Sequence, residues 1–254
     1  MKKINFHNNP VSIIIPLHNE ESIIVPQVNK LRRILKNMGV KNYEVVLIEN
    51  GSKDQTFRLA YGLTQKDSRI TVIKASLPHY GHAIKRGLLS AKNDPIIQLD
   101  LDLIDGRFIR KAMEEYGQYD ILIGSKFLGR KDDRSIYRKF LSQALKKVIN
   151  ILFGYYGTDT HGIKAYKRDS VMELIKDLPM TKHMFDTSIV IAAEINKLIV
   201  NETPVNVKEI RPSRFPSKKR IIEAIFDILA LLGHRILNSI RIEVVKLKFP
   251  IPFI

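Results

Sequence analysis

The 254-residue chain contains no cysteine, which excludes disulfides and thiolate metal centres and points to a reducing compartment. It is also short of acid: 26 Asp and Glu stand against 42 Lys and Arg, a formal charge of +16. A surface of that sign attracts phosphorylated small molecules, anionic lipid or nucleic acid, and charge alone does not choose among them. Long hydrophobic runs are missing too. No segment reaches the roughly 18 uninterrupted apolar residues of a spanning helix, so the chain is not expected to cross a membrane. The opening MKKINFHNNP has lysines but no apolar stretch behind them, so it does not read as a secretory signal, and cytoplasmic residence is expected. Repeated aromatic stacking positions and a reader motif are both lacking, and no nucleic-acid partner is expected despite the charge.

What is present is an alternation of strand and helix patterns. VSIIIP, from Val11 to Pro16, is a β-branched run bounded by prolines and reads as a buried strand. Ile24, Val28, Leu31 and Leu35 then repeat at helical spacing until Gly39, with Pro26 in the first turn. YEVVLI, RITVIKA, PIIQLD and YDILIGS supply four further strands. A helix capped by Ser52 or Asp54, one opening at Gly81 and one from Phe108 to Tyr116 separate them. The pattern predicts an α/β fold, an open and mostly parallel sheet with helices on both faces. Ligands of such sheets sit beyond the carboxyl ends of the strands. His18, Asn19, Glu20, Glu49 to Ser52, Asp100, Asp102, Ser125 and Lys126 should therefore gather at one edge.

Within IIQLDLDLIDG, Asp100 and Asp102 are separated by one leucine. Alternate strand residues share a face, so these carboxylates should project together and repel unless a cation lies between them. A solvated acidic turn is the other reading of the same residues.

Beyond Ser125 the chain turns basic. Arg134, Arg138 and Ser142 recur at intervals of four on a predicted helix whose apolar stripe is Tyr137, Leu141, Leu145 and Val148. Residues 1–210 are taken as the catalytic domain and 211–254 as a basic, amphipathic C-terminal segment. There Glu223, Asp227, His234, Asn238 and Arg241 form one polar stripe on an otherwise apolar helix, preceded by Lys218, Lys219 and Arg220. Such a helix suits an anionic membrane surface, packing on the protein's own body, or a homodimer contact.

The order of VSIIIPLHNEE, VVLIENGSKDQT, GHAIKRGL, LDLDL, ILIGSKF and DTHGIKAYKRD resembles the family 2 inverting glycosyltransferases of the GT-A fold, and within them the dolichol- and polyprenyl-phosphate sugar synthases. The resemblance implies a metal-dependent hexosyltransferase that moves a sugar from GDP-mannose or UDP-glucose to a polyprenyl or dolichyl phosphate, acting peripherally on the cytoplasmic face of a membrane. A soluble sugar or glycan acceptor is the alternative. It implies that Asp102, with Asp100, holds Mg²⁺ or Mn²⁺ on the departing diphosphate. Pro16, Leu17, His18, Glu20, Glu49, Gly51, Gly81, Lys85, Asp100 and Leu101 would bind the nucleotide sugar. Lys126, Arg134, Arg138, Ser142 and Lys164 would receive the acceptor phosphate, with Asp102, Arg138 and Lys126 at the chemistry. An ionised lipid phosphate needs little general-base help; the demand is positioning and charge compensation.

Several positions depart from the family's pattern: ENGS replaces the usual DDGS, and Ile104 stands where a further metal ligand is common. Lys126 replaces an arginine, giving a point charge in place of a fork, and His161 precedes Gly162 where serine or cysteine is usual.

Overall fold

The computed structural model describes residues 6, 9–75, 79–129, 133, 136–179, 181–182, 184–207 and 222–234. The chain order is β1 (Val11–Leu17), α1 (Ile24–Asn37), β2 (Tyr43–Glu49), α2 (Thr56–Thr64), β3 (Ile70–Lys74), α3 (Tyr80–Ser90), β4 (Ile96–Gln98), α4 (Gly106–Glu114), β5 (Ile121–Ser125), α5 (Ile136–Phe153), β6 (Lys164–Tyr166), α6 (Arg168–Asp177), α7 (Phe185–Ile195) and β7 (Val200–Pro204). A last described helix, α8, spans residues 222–234.

The strands form one seven-stranded sheet in the order β3-β2-β1-β4-β6-β5-β7. β1 pairs in parallel with β2 and β4, and β5 with β7. Only β6 runs the other way, wedged antiparallel between β4 and β5. Because it is flanked on both sides, β4 and β5 still point in the same direction. Their carboxyl ends open on the edge that also receives β1 and β2.

Successive strand residues face opposite sides, and the core divides accordingly. Ile13, Ile15, Val45, Leu47, Ile97 and Leu122 pack with α1, α2 and α4. Ile14, Val46, Ile48, Ile96, Ile121 and Ile123 pack with α3, α5, α6, α7 and α8. On α1 the buried residues are Ile24, Val28, Leu31 and Leu35, the helical stripe expected.

One amphipathic face differs from expectation, and a second takes one of the alternatives left open. On α5, Tyr137 and Val148 are exposed along with Ile136, Phe140 and Ile151, while Ile149 and Phe153 are buried and Leu145 and Leu152 pack beside them. Apolar residues cover a wide arc of this helix beside its basic face, so periodicity did not select which part of that arc turns inward. On α8 the polar stripe faces inward: Asp227 is 6 % exposed, and Ile228 and Leu231 are buried beside it. The outward side carries Ile222, Ile225, Phe226 and Leu229, each more than half exposed. Asn238 and Arg241 of that stripe, and the basic Lys218 to Arg220, lie outside the described residues.

Candidate active site

Of the two readings of the acid pair, strand end and acidic turn, the backbone takes the turn. β4 ends at Gln98, Leu99 N still donates to Ile14 O (3.0 Å), and the backbone then closes a tight turn in which Leu103 N donates to Asp100 O (2.9 Å). Leu99, Leu101 and Ile104 are buried in the core and Leu103 packs against it. These apolar anchors leave Asp100 and Asp102 half-buried at the sheet edge. Leu101 and Leu17 were expected to touch nucleotide sugar; their side chains belong to the core, so only their backbones border the site. Ile104, at the position of a common further ligand, also faces the core.

Burial, reinforced by the neighbouring Asp102, pushes Asp100 up to about 6, against the opposing influence of Lys164 and a hydrogen bond from Tyr80. The Tyr80 hydroxyl donates to Asp100 Oδ1 (3.2 Å) and accepts from Gln98 Nε2 (3.3 Å), while Gln98 Oε1 accepts from Tyr166 OH (2.7 Å). Burial and the nearby Asp100 hold the Tyr80 phenol well above its ordinary range, so it remains a donor. Sequence reasoning missed this chain of Tyr166, Gln98 and Tyr80, whose members lie on three separate elements.

The β1 and β2 ends are stapled together. His18 Nδ1 lies 2.8 Å from Asn50 O, Asn50 N donates to Leu17 O (2.9 Å), and Glu20 N donates to Thr56 Oγ1 (2.6 Å). Asn19 adopts φ 54°, a region asparagine tolerates. There its backbone N–H donates to Ser52 Oγ (3.0 Å) and its Oδ1 accepts from Lys53 N (2.8 Å). Glu49 is buried, and its Oε1 accepts from Ser52 N (2.5 Å) to close the turn through Gly51 at φ 68°. The N-cap of α2 falls on Gln55, not on Ser52 or Asp54 as expected; Asp54, one residue earlier, accepts from Thr56 N (3.0 Å). Pro16 is buried in β1. The Asn50 Oδ1 atom is buried with no hydrogen-bond partner among the described residues. An orphaned acceptor at a strand edge fits a polar ligand.

At the β5 end, Lys126 Nζ donates to both oxygens of Asp159 and to His161 O, each at 2.7 Å. Asp159 also accepts from His161 N (2.9 Å), and Glu202 supports the same loop by accepting from Thr158 N (2.7 Å). His161 Nδ1 stands 3.1 Å from Thr187 Oγ1 and 3.2 Å from Thr160 Oγ1. Burial lowers the His161 pKa further than Asp186 raises it, which favours the neutral ring.

Three expected ligand contacts are placed elsewhere. Lys164, expected at the acceptor phosphate, is fully buried and donates to Asp186 Oδ2 (3.1 Å) and Gly162 O (2.9 Å). Burial alone would raise Asp186, but the Lys164 ammonium and the hydrogen bond it donates outweigh it and hold the carboxyl below its ordinary value. Lys85, expected to support donor phosphates, directs Nζ to Lys176 O at the end of α6 (3.4 Å) and lies over the Phe185 ring. Gly81 was expected as a phosphate-binding helix start. Its N–H instead donates to Lys182 O (2.8 Å), and a Cβ there would lie 2.2 Å from Thr181 O. Ser142 and Arg138 fall on α5 one turn apart; Arg134 and the Arg138 side chain lie outside the described residues.

The acid pair fits a hard divalent cation. Its donors are carboxylate oxygens, and the Asp100 carboxyl, raised first by burial and then by Asp102, is one whose charged form a cation would stabilise. Asp100 and Asp102 are the residues that would hold it. Among the described residues no group of three or more His, Asp or Glu assembles as a ligand set, so water or substrate oxygens would complete the coordination. When bound, such an ion stabilises a departing diphosphate.

A parallel sheet of order 3-2-1-4 with an acid turn past β4 and an antiparallel strand inserted before β5 defines a GT-A glycosyltransferase fold. The glycosyl transferase family 2 model matches residues 12–175, and the chain belongs to that family. It is a glycosyltransferase. The dolichyl-phosphate beta-glucosyltransferase ALG5D of Trichomonas vaginalis is 27% identical over 249 residues, 90% of this chain and 74% of the relative. The human dolichyl-phosphate beta-glucosyltransferase is 25% identical over 225 residues, 80% of this chain and 69% of the relative. Among solved structures, glucosyl-3-phosphoglycerate synthase from Mycobacterium tuberculosis, in complex with Mn²⁺, UDP and glucosyl-3-phosphoglycerate, superposes with a TM-score of 0.64 at 18% identity. That match covers 89% of this chain and 80% of the other, and it shares the fold.

Proposed function

We propose that the protein transfers a hexose from a nucleotide sugar to a polyprenyl or dolichyl phosphate at a membrane surface, with inversion at the anomeric carbon. The lipid phosphate attacks the anomeric carbon in line, and the bond to the nucleoside diphosphate breaks. The β1–β2 staple around His18, Glu20, Glu49 and Asn50 binds the nucleoside. Asp100 and Asp102 hold Mg²⁺ or Mn²⁺, and Lys126 with α5 orients the acceptor phosphate.

The observation that carries the lipid acceptor is the inverted α8. A helix docked through its carboxylate, with Ile222, Ile225, Phe226 and Leu229 turned outward, is suited to an interface between water and lipid. Exposed Ile136, Tyr137, Phe140 and Ile151 on α5 enlarge that apolar surface, and both helices pack on the same face of the sheet. The chain's net charge of +16 adds attraction to anionic headgroups. Among the described residues no helix is long and apolar enough to cross a membrane, and a peripheral location is consistent with that. The dolichyl-phosphate substrates in the names of the relatives support the same acceptor.

The test is incubation with a panel of nucleotide sugars and a short polyprenyl phosphate, with and without Mg²⁺ or Mn²⁺. Detergent-extractable glycolipid formed only with metal is the expected result, and the donor that supports it identifies the sugar and base. Lack of glycolipid with every donor rejects the proposal.

A further inference from the structure

The inward carboxylate of α8 reaches farther than its own helix. Asp227 Oδ1 accepts from Lys182 N (3.0 Å) and Oδ2 from Met184 N (3.1 Å), at the amino end of α7. A carboxylate is favoured there by the free N–H groups and the helix dipole. The segment it holds lies directly on the start of α3: Lys182 O accepts from Gly81 N (2.8 Å), and Thr181 O sits so close to Gly81 that no Cβ fits between them. The residue before Gly81 is Tyr80, whose hydroxyl donates to Asp100 Oδ1 (3.2 Å). One run of contacts thus leads from a surface helix to the acid turn.

We propose that Asp227 is a positioning residue for the cation site: by fixing the backbone at Lys182 and at Met184 against the start of α3, it holds the Tyr80 hydroxyl on Asp100. The helix with the outward apolar face therefore also sets the geometry of the acids. The inference rests on Asp100 and Asp102 as cation ligands and is independent of the acceptor. It gives α8 a second role. A helix that only anchored the protein would have no need of a buried carboxylate bonded to two backbone N–H groups of another segment.

The experiment uses the full chain as wild type, Asp227→Asn, Tyr80→Phe and the double variant. Mn²⁺ binding is read by the electron paramagnetic resonance signal of the free ion, in the presence of UDP or GDP, with no acceptor. Loss of an outer hydrogen bond to a ligand weakens metal binding by about tenfold or more, so Tyr80→Phe is expected to raise the Mn²⁺ dissociation constant about tenfold. Asp227→Asn keeps the shape but loses one acceptor, and is expected to raise it about three- to tenfold. If Asp227 acts through Tyr80, the double variant binds Mn²⁺ no more weakly than Tyr80→Phe alone. Asp227→Glu, which keeps both acceptor oxygens, takes the place of the Asn variant if that one does not fold. Its weakening must be absorbed by Tyr80→Phe in the same way.

Unchanged Mn²⁺ affinity in the Asp227 variant overturns the proposal, as do effects that multiply in the double variant. If wild type binds no Mn²⁺ with either nucleotide, the cation site and this inference fall together. If binding follows the expected pattern while no glycolipid forms in any assay, the acceptor assignment fails and this inference stands.

Discussion

Lys126 Nζ is bound by both carboxylate oxygens of Asp159, in a pair whose side chains are 12 % and 3 % exposed. The lysine at the β5 end is thus held in place before any substrate arrives, and Asp159 offsets part of its charge. Removing one member of a buried pair leaves the other charge uncompensated. Asp159→Ala is expected to lower the unfolding free energy by about 3–5 kcal/mol, read by urea denaturation. A loss below 1 kcal/mol would mean that Lys126 finds another partner without cost.

The second prediction concerns pH. Burial and the neighbouring Asp102 raise Asp100 from its ordinary 3.8 to about 6. A carboxylic acid with a raised folded-state pKa binds its proton more tightly folded than unfolded. Its cost to stability is absent below about pH 4, grows between pH 4 and 6, and is full above 6, at about 3 kcal/mol. Asp100→Asn should therefore match wild type in thermal midpoint near pH 4 and exceed it above pH 6 in metal-free buffer. Mn²⁺ with UDP should restabilise wild type but not the variant. A midpoint difference that does not change across this range contradicts the assignment.

Gly81 supplies the third. A Cβ at this position would lie 2.2 Å from Thr181 O and 2.8 Å from Phe185 Cβ, and the first of these contacts is with backbone. Gly81→Ala must push α3 from the 181–185 segment, an overpacking cost of about 1–3 kcal/mol, visible as a lower thermal midpoint. Activity should fall further than stability explains, because Tyr80 moves with the helix.

Much of the fold was legible because it follows from local periodicity. The stripe Ile24, Val28, Leu31 and Leu35 is buried as its spacing requires, and VSIIIP lies in the middle of the sheet. The two-sided burial of β1 makes it a continuous apolar run. β6 was not foreseen, since KAY is three residues long and opens on a lysine. That lysine is tolerated only because Asp186, distant in sequence, accepts from it. The acid pair was found, but strand and turn both stayed open, because Leu101 and Leu103 alternate with the acids whether they line a strand or anchor a turn. The inward side of α8 was hidden for a similar reason. Asp227 has backbone N–H groups as partners, and backbone partners leave no mark on residue type.

The outward face of α8 gives the fourth prediction. Ile225 and Phe226 are 52 % and 66 % exposed, so replacing both with serine should change unfolding stability by no more than about 0.5 kcal/mol per site. Cosedimentation with vesicles containing anionic lipid should fall, because apolar burial drives interfacial binding. Unaltered cosedimentation would remove α8 from the membrane contact.

The most direct measurement of the central claim follows a labelled hexose from its nucleotide donor in the presence of Mn²⁺, offered a polyprenyl monophosphate, the corresponding polyprenol, or 3-phosphoglycerate. Label should enter the organic phase with the monophosphate alone, and Asp102→Ala should abolish the transfer. Label passed to 3-phosphoglycerate and not to the lipid would contradict the account, as would equal transfer to the phosphate-free alcohol.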